Sequence, residues 1–373
     1  MNMVIQEFVS MDGIIDKCDT LGVDDKVIAS CCSLSFSRPL PYDEIVKYIQ
    51  KRREKTAGYK KQLQELLKLK KLVQRSPEWF EARKHVISAS DYAMALGKGK
   101  FGTQKEFFQK KCNYEPEKKF SMSTMAPLKW GTMFEQVAQD IYASRTGFKM
   151  YEFGLILHPN REYLGASPDS INEHGIMVEI KCPFKRKITG EVPFQYFMQV
   201  QGQLDACLLE ECDYLECEFE ETTKLDQDYY EGEVGVILEY PSDDSPSYEY
   251  GPLINNIITD TKEKTKSDLE TINNWIASQR PGYLIRYWKL VKYNVVRVYK
   301  DSEFINNVSD ELSVIWDKVK MCRSDKAVYD KKMQSYGSTH SRTSTTKEPP
   351  SKYAATGSHT FEPPVAITGY SFI

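Results

Sequence analysis

Residues 165–183, GASPDSINEHGIMVEIKCP, constrain this chain more than any other stretch. A Ser-Pro-Asp turn presents Asp169, a His-Gly turn follows, and 176–181 then reads I-M-V-E-I-K. Strand side chains alternate faces, so Glu179 and Lys181 project from one side and Ile180 from the other, into the core. A strand apolar enough to be buried therefore carries two opposite charges on one face. Buried charge is costly unless it is paired or metal-bound, so chemistry explains the pattern better than packing does. Carboxylates from Asp169 and Glu179 suit a hard cation such as Mg2+, and the backbone carbonyl of Ile180 can join them. Lys181 can hold or deprotonate an attacking water and offset charge on a pentavalent transition state.

Composition sets the frame for that stretch. The 373 residues are 41% hydrophobic and 12% aromatic, enough for one substantial core with extensions. The net charge of -3 gives no global nucleic-acid signal, although a whole-chain sum hides local patches. The first residues lack a basic lead with a long apolar run, and no stretch approaches the roughly 20 apolar residues that span a bilayer. The expectation is a soluble intracellular protein with no membrane partner. Nine cysteines without small-scaffold spacing read as reduced thiols. Cys207, Cys212 and Cys217 recur every five residues, a spacing that suits core or surface thiols better than zinc.

Along the chain, residues 1–40 form an extension without an assigned role. A basic helical segment follows over 41–75, with acidic residues in its first turn and a break at Gly58. It reads as a solvated helix on the domain edge or as a phosphate-tracking arm. Ser76 caps a helix starting at Pro77 that carries Trp79, Phe80 and Arg83, with Trp79 and Phe80 expected in the core. A second helix starts near Ser90, and an arginine beside such an end can hold a phosphate or simply face solvent. A long helix ends at Gly147, with Met133, Val137 and Ile141 at core spacing and Glu135 off the apolar stripe. Short strands fill 149–181, and a helix over 193–209 puts Gln199 and Gln203 side by side at i,i+4. Further strands, a helix over 261–278, a strand pair in RYWKLVKYNVVRVYKD and a closing helix over 302–322 complete the domain. Residues 323–373, rich in Ser, Thr, Lys and Pro, read as a disordered tail.

Several of these blocks, in this order, resemble the lambda-exonuclease and YqaJ-like viral recombinase family of the PD-(D/E)xK nuclease superfamily. The resemblance covers residues 76–322 and rests on EWFEARKHVISASD, WGTMFEQVA, GASPDSI, VEIKCP and YFMQVQGQL. It implies an α/β, restriction-endonuclease-like core: a mixed central β-sheet flanked by helices, with the site at one edge. It also implies that Glu135 joins Asp169 and Glu179 at the metal, that Lys181 is catalytic, and that Arg83 and Ser90 bind a DNA 5'-phosphate. Ser167, Tyr196, Gln199 and Gln201 would support the site or its DNA. The implied activity is 5'-3' exonuclease action on double-stranded DNA with Mg2+ (or Mn2+), leaving 3' overhangs for single-strand annealing recombination. A single-strand annealing protein and a homotrimeric ring are the implied partners. A structure-selective endonuclease on the same core and a non-catalytic DNA-binding scaffold are the alternatives.

Overall fold

The computed structural model of the chain describes residues 11–34, 41–69, 72–100, 102–114, 122–225, 232–242, 246–255 and 262–336. Its strands are β1 (Ile87–Ser88), β2 (Met150–Tyr151), β3 (Ile156–Leu157), β4 (Leu164–Ala166), β5 (Ser170–Asn172) and β6 (Met177–Lys181). They continue with β7 (Glu211–Thr222), β8 (Glu233–Tyr240), β9 (Ser247–Tyr250), β10 (Ile254–Asn255) and β11 (Leu284–Tyr299). Among the described residues β1, β4 and β3 form a small sheet, and the main sheet runs β10-β8-β11-β7-β6-β5-β2 with β9 beside β8. Only the β6/β7 pair of that main sheet is parallel, and the helix Phe194–Cys207 makes the crossover between the two strands. The result is the mixed sheet flanked by helices that the family resemblance implies.

Alternation along β6 decides what each face carries. Met177 packs with Val200, Leu204, Cys212 and Tyr214 on the side of helix Phe194–Cys207. Val178 and Ile180 pack with Phe134, Val137, Ile141 and Leu215 on the other side, under helix Met122–Thr146. Glu179 and Lys181 thus share the Met177 side and meet the helix 194–207. The nine cysteines are buried thiols, with Cys207 and Cys212 in the first cluster and Cys217 in the second.

The N-terminal region is integral to the fold. Helices Met11–Thr20 and Asp25–Leu34 share an apolar cluster with Ile45 and Ile49 of helix Tyr42–Leu67. Arg52, buried in that long helix, bonds Asp16 (2.9 and 2.6 Å) and Glu211 at the start of β7 (2.6 Å). Arg297 of β11 bonds the same Glu211 (2.6 Å) and Asp213 (2.6 Å), which also accepts from Tyr142. Charges this deep persist only as a fully paired cluster, and removing one partner from such a cluster costs about 3–5 kcal/mol. Gly175 explains how closely the long helix lies: its φ is +75° and an added Cβ would stand 2.4 Å from the Tyr59 carbonyl oxygen.

Four local expectations are corrected. The helix Tyr42–Leu67 runs unbroken through Gly58, which has open space around it and so no contact that forces a bend. RYWKLVKYNVVRVYKD belongs to one 16-residue strand, β11, because the sequence between its halves has no turn pair and a bulge between Leu290 and Lys292 absorbs the irregularity. Residues 323–336 are not a disordered tail: helix Ser302–Ser324 continues past that point and Lys326–Ser335 forms a further helix that buries Tyr329. Asp325 caps it through the Ala327 N–H, and residues 337–373 lie outside the described residues. Phe80 is exposed, since it sits on the outer face of helix Pro77–Lys84 while Trp79 turns inward.

Candidate active site

A cavity of about 170 Å³ opens where β6, the 167–169 turn, helix Pro77–Lys84 and helix Phe194–Cys207 converge, and its walls carry Asp169, Glu179 and Lys181. Asp169 arrives from the Ser-Pro-Asp turn, and its Oδ2 accepts the Ile180 N–H at 2.7 Å, which locks the turn onto β6. Glu179 is almost fully buried and its carboxylate is saturated on three sides. Lys181 Nζ and Gln199 Nε2 (2.5 Å) donate to Oε1, and Gln203 Nε2 (2.7 Å) donates to Oε2. Lys181 Nζ also lies 5.2 Å from the Tyr196 ring centroid, so Tyr196 confines it by a cation-π contact.

Electrostatics in this pocket are lopsided. Burial, reinforced by the Glu179 and Glu135 charges, pushes the Asp169 carboxyl well above the carboxylate range, against the pull of Lys181 and the Ile180 N–H. Burial alone would lower the Lys181 pKa, but the Glu179 and Asp169 charges outweigh it and hold the ammonium above its ordinary value. Lys181 is therefore charged at neutral pH. A hard divalent cation prefers a few carboxylate oxygens plus water, and the donor set of Asp169, Glu179 and the Ile180 carbonyl fits that preference. Gln203 Oε1, buried without a hydrogen-bond partner, adds an acceptor for a bound water. Among the described residues no group of three His, Cys, Asp or Glu side chains is gathered to hold a metal. The third carboxylate, Glu135, is engaged at 2.7 Å by Arg75 instead.

The same cavity is also lined by Arg83. Arg83 Nη2 donates to Ser88 Oγ (3.0 Å) and Ser90 Oγ (2.8 Å), and its guanidinium carbon lies 4.3 Å from the Trp79 ring. Among the described residues it makes no ion pair, and burial lowers its pKa. Asp91, whose charge acts on Arg83, is already held by Lys110 (2.8 Å) and Lys111 (2.8 Å) and caps the short helical turn with Ser88. The cap is thus Ser88 and not Ser90, which leaves the Ser90 hydroxyl for Arg83. Trp79 Nε1 donates to Ser167 Oγ (3.0 Å), tying the helix that carries Arg83 to the turn that carries Asp169.

The structure gathers most of the sequence-derived set. Asp169, Glu179, Lys181, Arg83, Ser90, Ser167 and Gln199 line one cavity, Tyr196 touches Lys181, and Glu135 is near enough to act electrostatically on Asp169. Gln201 is the exception. Two positions from Gln199 on a helix, it faces away, donating to the Tyr299 carbonyl (2.9 Å) and accepting the Asp301 N–H (2.7 Å). Gln203 takes its place at the site, as the i,i+4 spacing from Gln199 signals. Gln74 and Arg75 also line the cavity, and nothing in their local sequence marked them.

The same region carries the likeness to known proteins. Residues 78–207 match the YqaJ-like viral recombinase domain. An uncharacterized protein of Acanthamoeba polyphaga mimivirus is 25% identical over 314 residues, 71% of this chain and 55% of that protein. A protein of African swine fever virus (strain Badajoz 1971 Vero-adapted) is 26% identical over 162 residues, 35% of this chain and 45% of the other. The chain spans about half the length of the curated relatives it matches. Among solved structures, an alkaline exonuclease from Laribacter hongkongensis is 18% identical, with a TM-score of 0.42, over 70% of this chain and 99% of the other. No helix among the described residues is long and apolar enough to cross a membrane. The stretch similar to the YqaJ-like viral recombinase domain, residues 78–207, holds Arg83, Glu135, Asp169, Glu179 and Lys181.

Proposed function

We propose that the chain is a metal-dependent DNA exonuclease that digests double-stranded DNA from 5'-phosphorylated ends. The observation that carries this reading is one cavity lined by two carboxylates, a lysine and an arginine that makes no ion pair among the described residues. Arg83, backed by Trp79 and the Ser90 hydroxyl, is the group to take a terminal phosphate; a planar guanidinium suits phosphate oxygens. Asp169, Glu179 and Glu135, with the Ile180 carbonyl, would hold Mg2+ or Mn2+. Such an ion polarises the scissile phosphate and makes a water nucleophilic at neutral pH.

The protein's own groups do the rest. Lys181 stays an ammonium beside Glu179, so it orients water and offsets developing negative charge more readily than it removes a proton. Gln199 and Gln203 fix the Glu179 carboxylate, and Tyr196 fixes Lys181. Products would be mononucleotides and a 3' overhang suited to single-strand annealing recombination, with an annealing protein as partner and a homotrimeric ring as the assembly. Mg2+-dependent loss of linear duplex with covalently closed circles left intact supports this reading. Nicking of closed circles at the same rate would favour a structure-selective endonuclease, and no cleavage of either would leave a DNA-binding scaffold.

A further inference from the structure

Arg75 stands out at the mouth of the cavity for its backbone. Its φ is +66°, a left-handed conformation disfavoured for any residue with a Cβ. The turn is closed by the Ser76 N–H donating to the Val73 carbonyl (3.2 Å), which makes Arg75 the third of four turn residues, the place where glycine fits. The turn is also anchored. Gln74 Nε2 donates to the carbonyls of Phe153 (2.8 Å) and Pro168 (3.0 Å), and Pro168 adjoins Asp169. Ser76 then caps the helix that carries Trp79 and Arg83. A strained backbone held this firmly points to a side chain that is needed there.

That side chain is half-exposed and reaches Glu135 across 60 residues of sequence, Nη2 to Oε2 at 2.7 Å. Both ends of the pair remain partly in water, so the contact is weak: exposed ion pairs shift an equilibrium by a factor of about 1.5–5. It is a contact that a divalent cation competing for Glu135 can break. Once released, the guanidinium lies on the wall of the same cavity as Lys181 and Arg83, where a DNA backbone would supply its next partner.

We propose that Arg75 is a cation-responsive arm, which occupies Glu135 while the carboxylates hold no metal and turns to a DNA phosphate when a divalent cation recruits Glu135. This positioning role rests on the nuclease reading of the site. It couples metal binding to grip on DNA, so the two ligands strengthen each other.

The test uses the full chain with Ca2+ as probe, by calorimetric titration, and duplex DNA binding in Ca2+ at several salt concentrations. Arg75→Gly relieves the turn, so its thermal midpoint should be no lower than that of the wild type. The variant is expected to bind Ca2+ about 1.5–5-fold more tightly, because its competitor is gone. Its DNA affinity should fall, with the salt slope reduced by about 1. Unchanged Ca2+ affinity, or an unchanged salt slope, overturns the proposal. Asp169→Asn separates this from the underlying reading: if that variant binds Ca2+ as the wild type does, the metal site itself is refuted and the role of Arg75 falls with it.

Discussion

Gln201 and Gln203 are two positions apart in one helix, and the helix turns that small step into opposite roles. Gln203→Leu removes a donor to the buried Glu179 carboxylate. It is expected to weaken divalent-cation binding and slow cleavage by roughly 10–100-fold, as loss of a ligand-orienting partner does. Gln201→Leu instead orphans the Tyr299 carbonyl and the Asp301 N–H, so it should lower unfolding stability by about 1–3 kcal/mol and leave cleavage per folded molecule intact. Cleavage assays alongside denaturant unfolding distinguish the two, and the reverse result would return Gln201 to the site. Elsewhere in the cavity lining, Arg83→Ala is expected to slow digestion of 5'-phosphorylated ends far more than of unphosphorylated ends, with Ca2+ affinity preserved. Equal loss on both kinds of end would remove Arg83 from end recognition. The period-two pattern alone placed Glu179 and Lys181 on one face and Ile180 on the other. Arg75 was silent because its significance lies in a positive φ and a partner 60 residues away, neither of which local sequence encodes.

At the scale of elements, the strand-crossover-strand unit β6, helix Phe194–Cys207 and β7 holds the site, and its periodicity made it legible in the sequence. The N-terminal helices were not legible as part of the domain. Their docking depends on side chains whose partners lie far along the chain: Arg52 with Glu211, and Thr20 with His174 at 2.6 Å. His174 gives that docking a pH signature. Burial, then the Lys60 charge, lowers its pKa from the ordinary 6.5 to about 4. The unfolded chain therefore binds more protons between those values, so the stabilising contribution is complete above about 6.5 and is lost as the pH falls toward 4. Wild-type stability is expected to drop more than that of His174→Gln between pH 7 and pH 5. Parallel profiles for the two proteins in chemical denaturation would show that His174 carries no such linkage. The bulge in β11 and the capped helix Lys326–Ser335 went unread for a similar reason, since tertiary contacts such as buried Tyr329 decide them.

For the whole molecule, the net charge of -3 concealed local clusters of both signs. Some acidic groups are paired inside, as in the Arg52 and Arg297 cluster, and two, Asp169 and Glu179, line one cavity with Arg75, Arg83 and Lys181. Composition could not reveal this, because it is folding that separates satisfied charges from available ones. The order of sequence blocks did anticipate which elements would meet, and the sheet joins them through one parallel pair. The central claim is hydrolysis of DNA at this cavity, and the most direct measurement is digestion of linear duplex DNA with 5'-phosphorylated ends. With Mg2+ the wild type is expected to release mononucleotides from those ends and leave 3' overhangs. Chelator should stop the reaction, and Lys181→Ala should slow it by about 10²–10³-fold or more while circular dichroism shows the fold retained. Intact duplex in both Mg2+ and Mn2+, or undiminished digestion by Lys181→Ala, would contradict it.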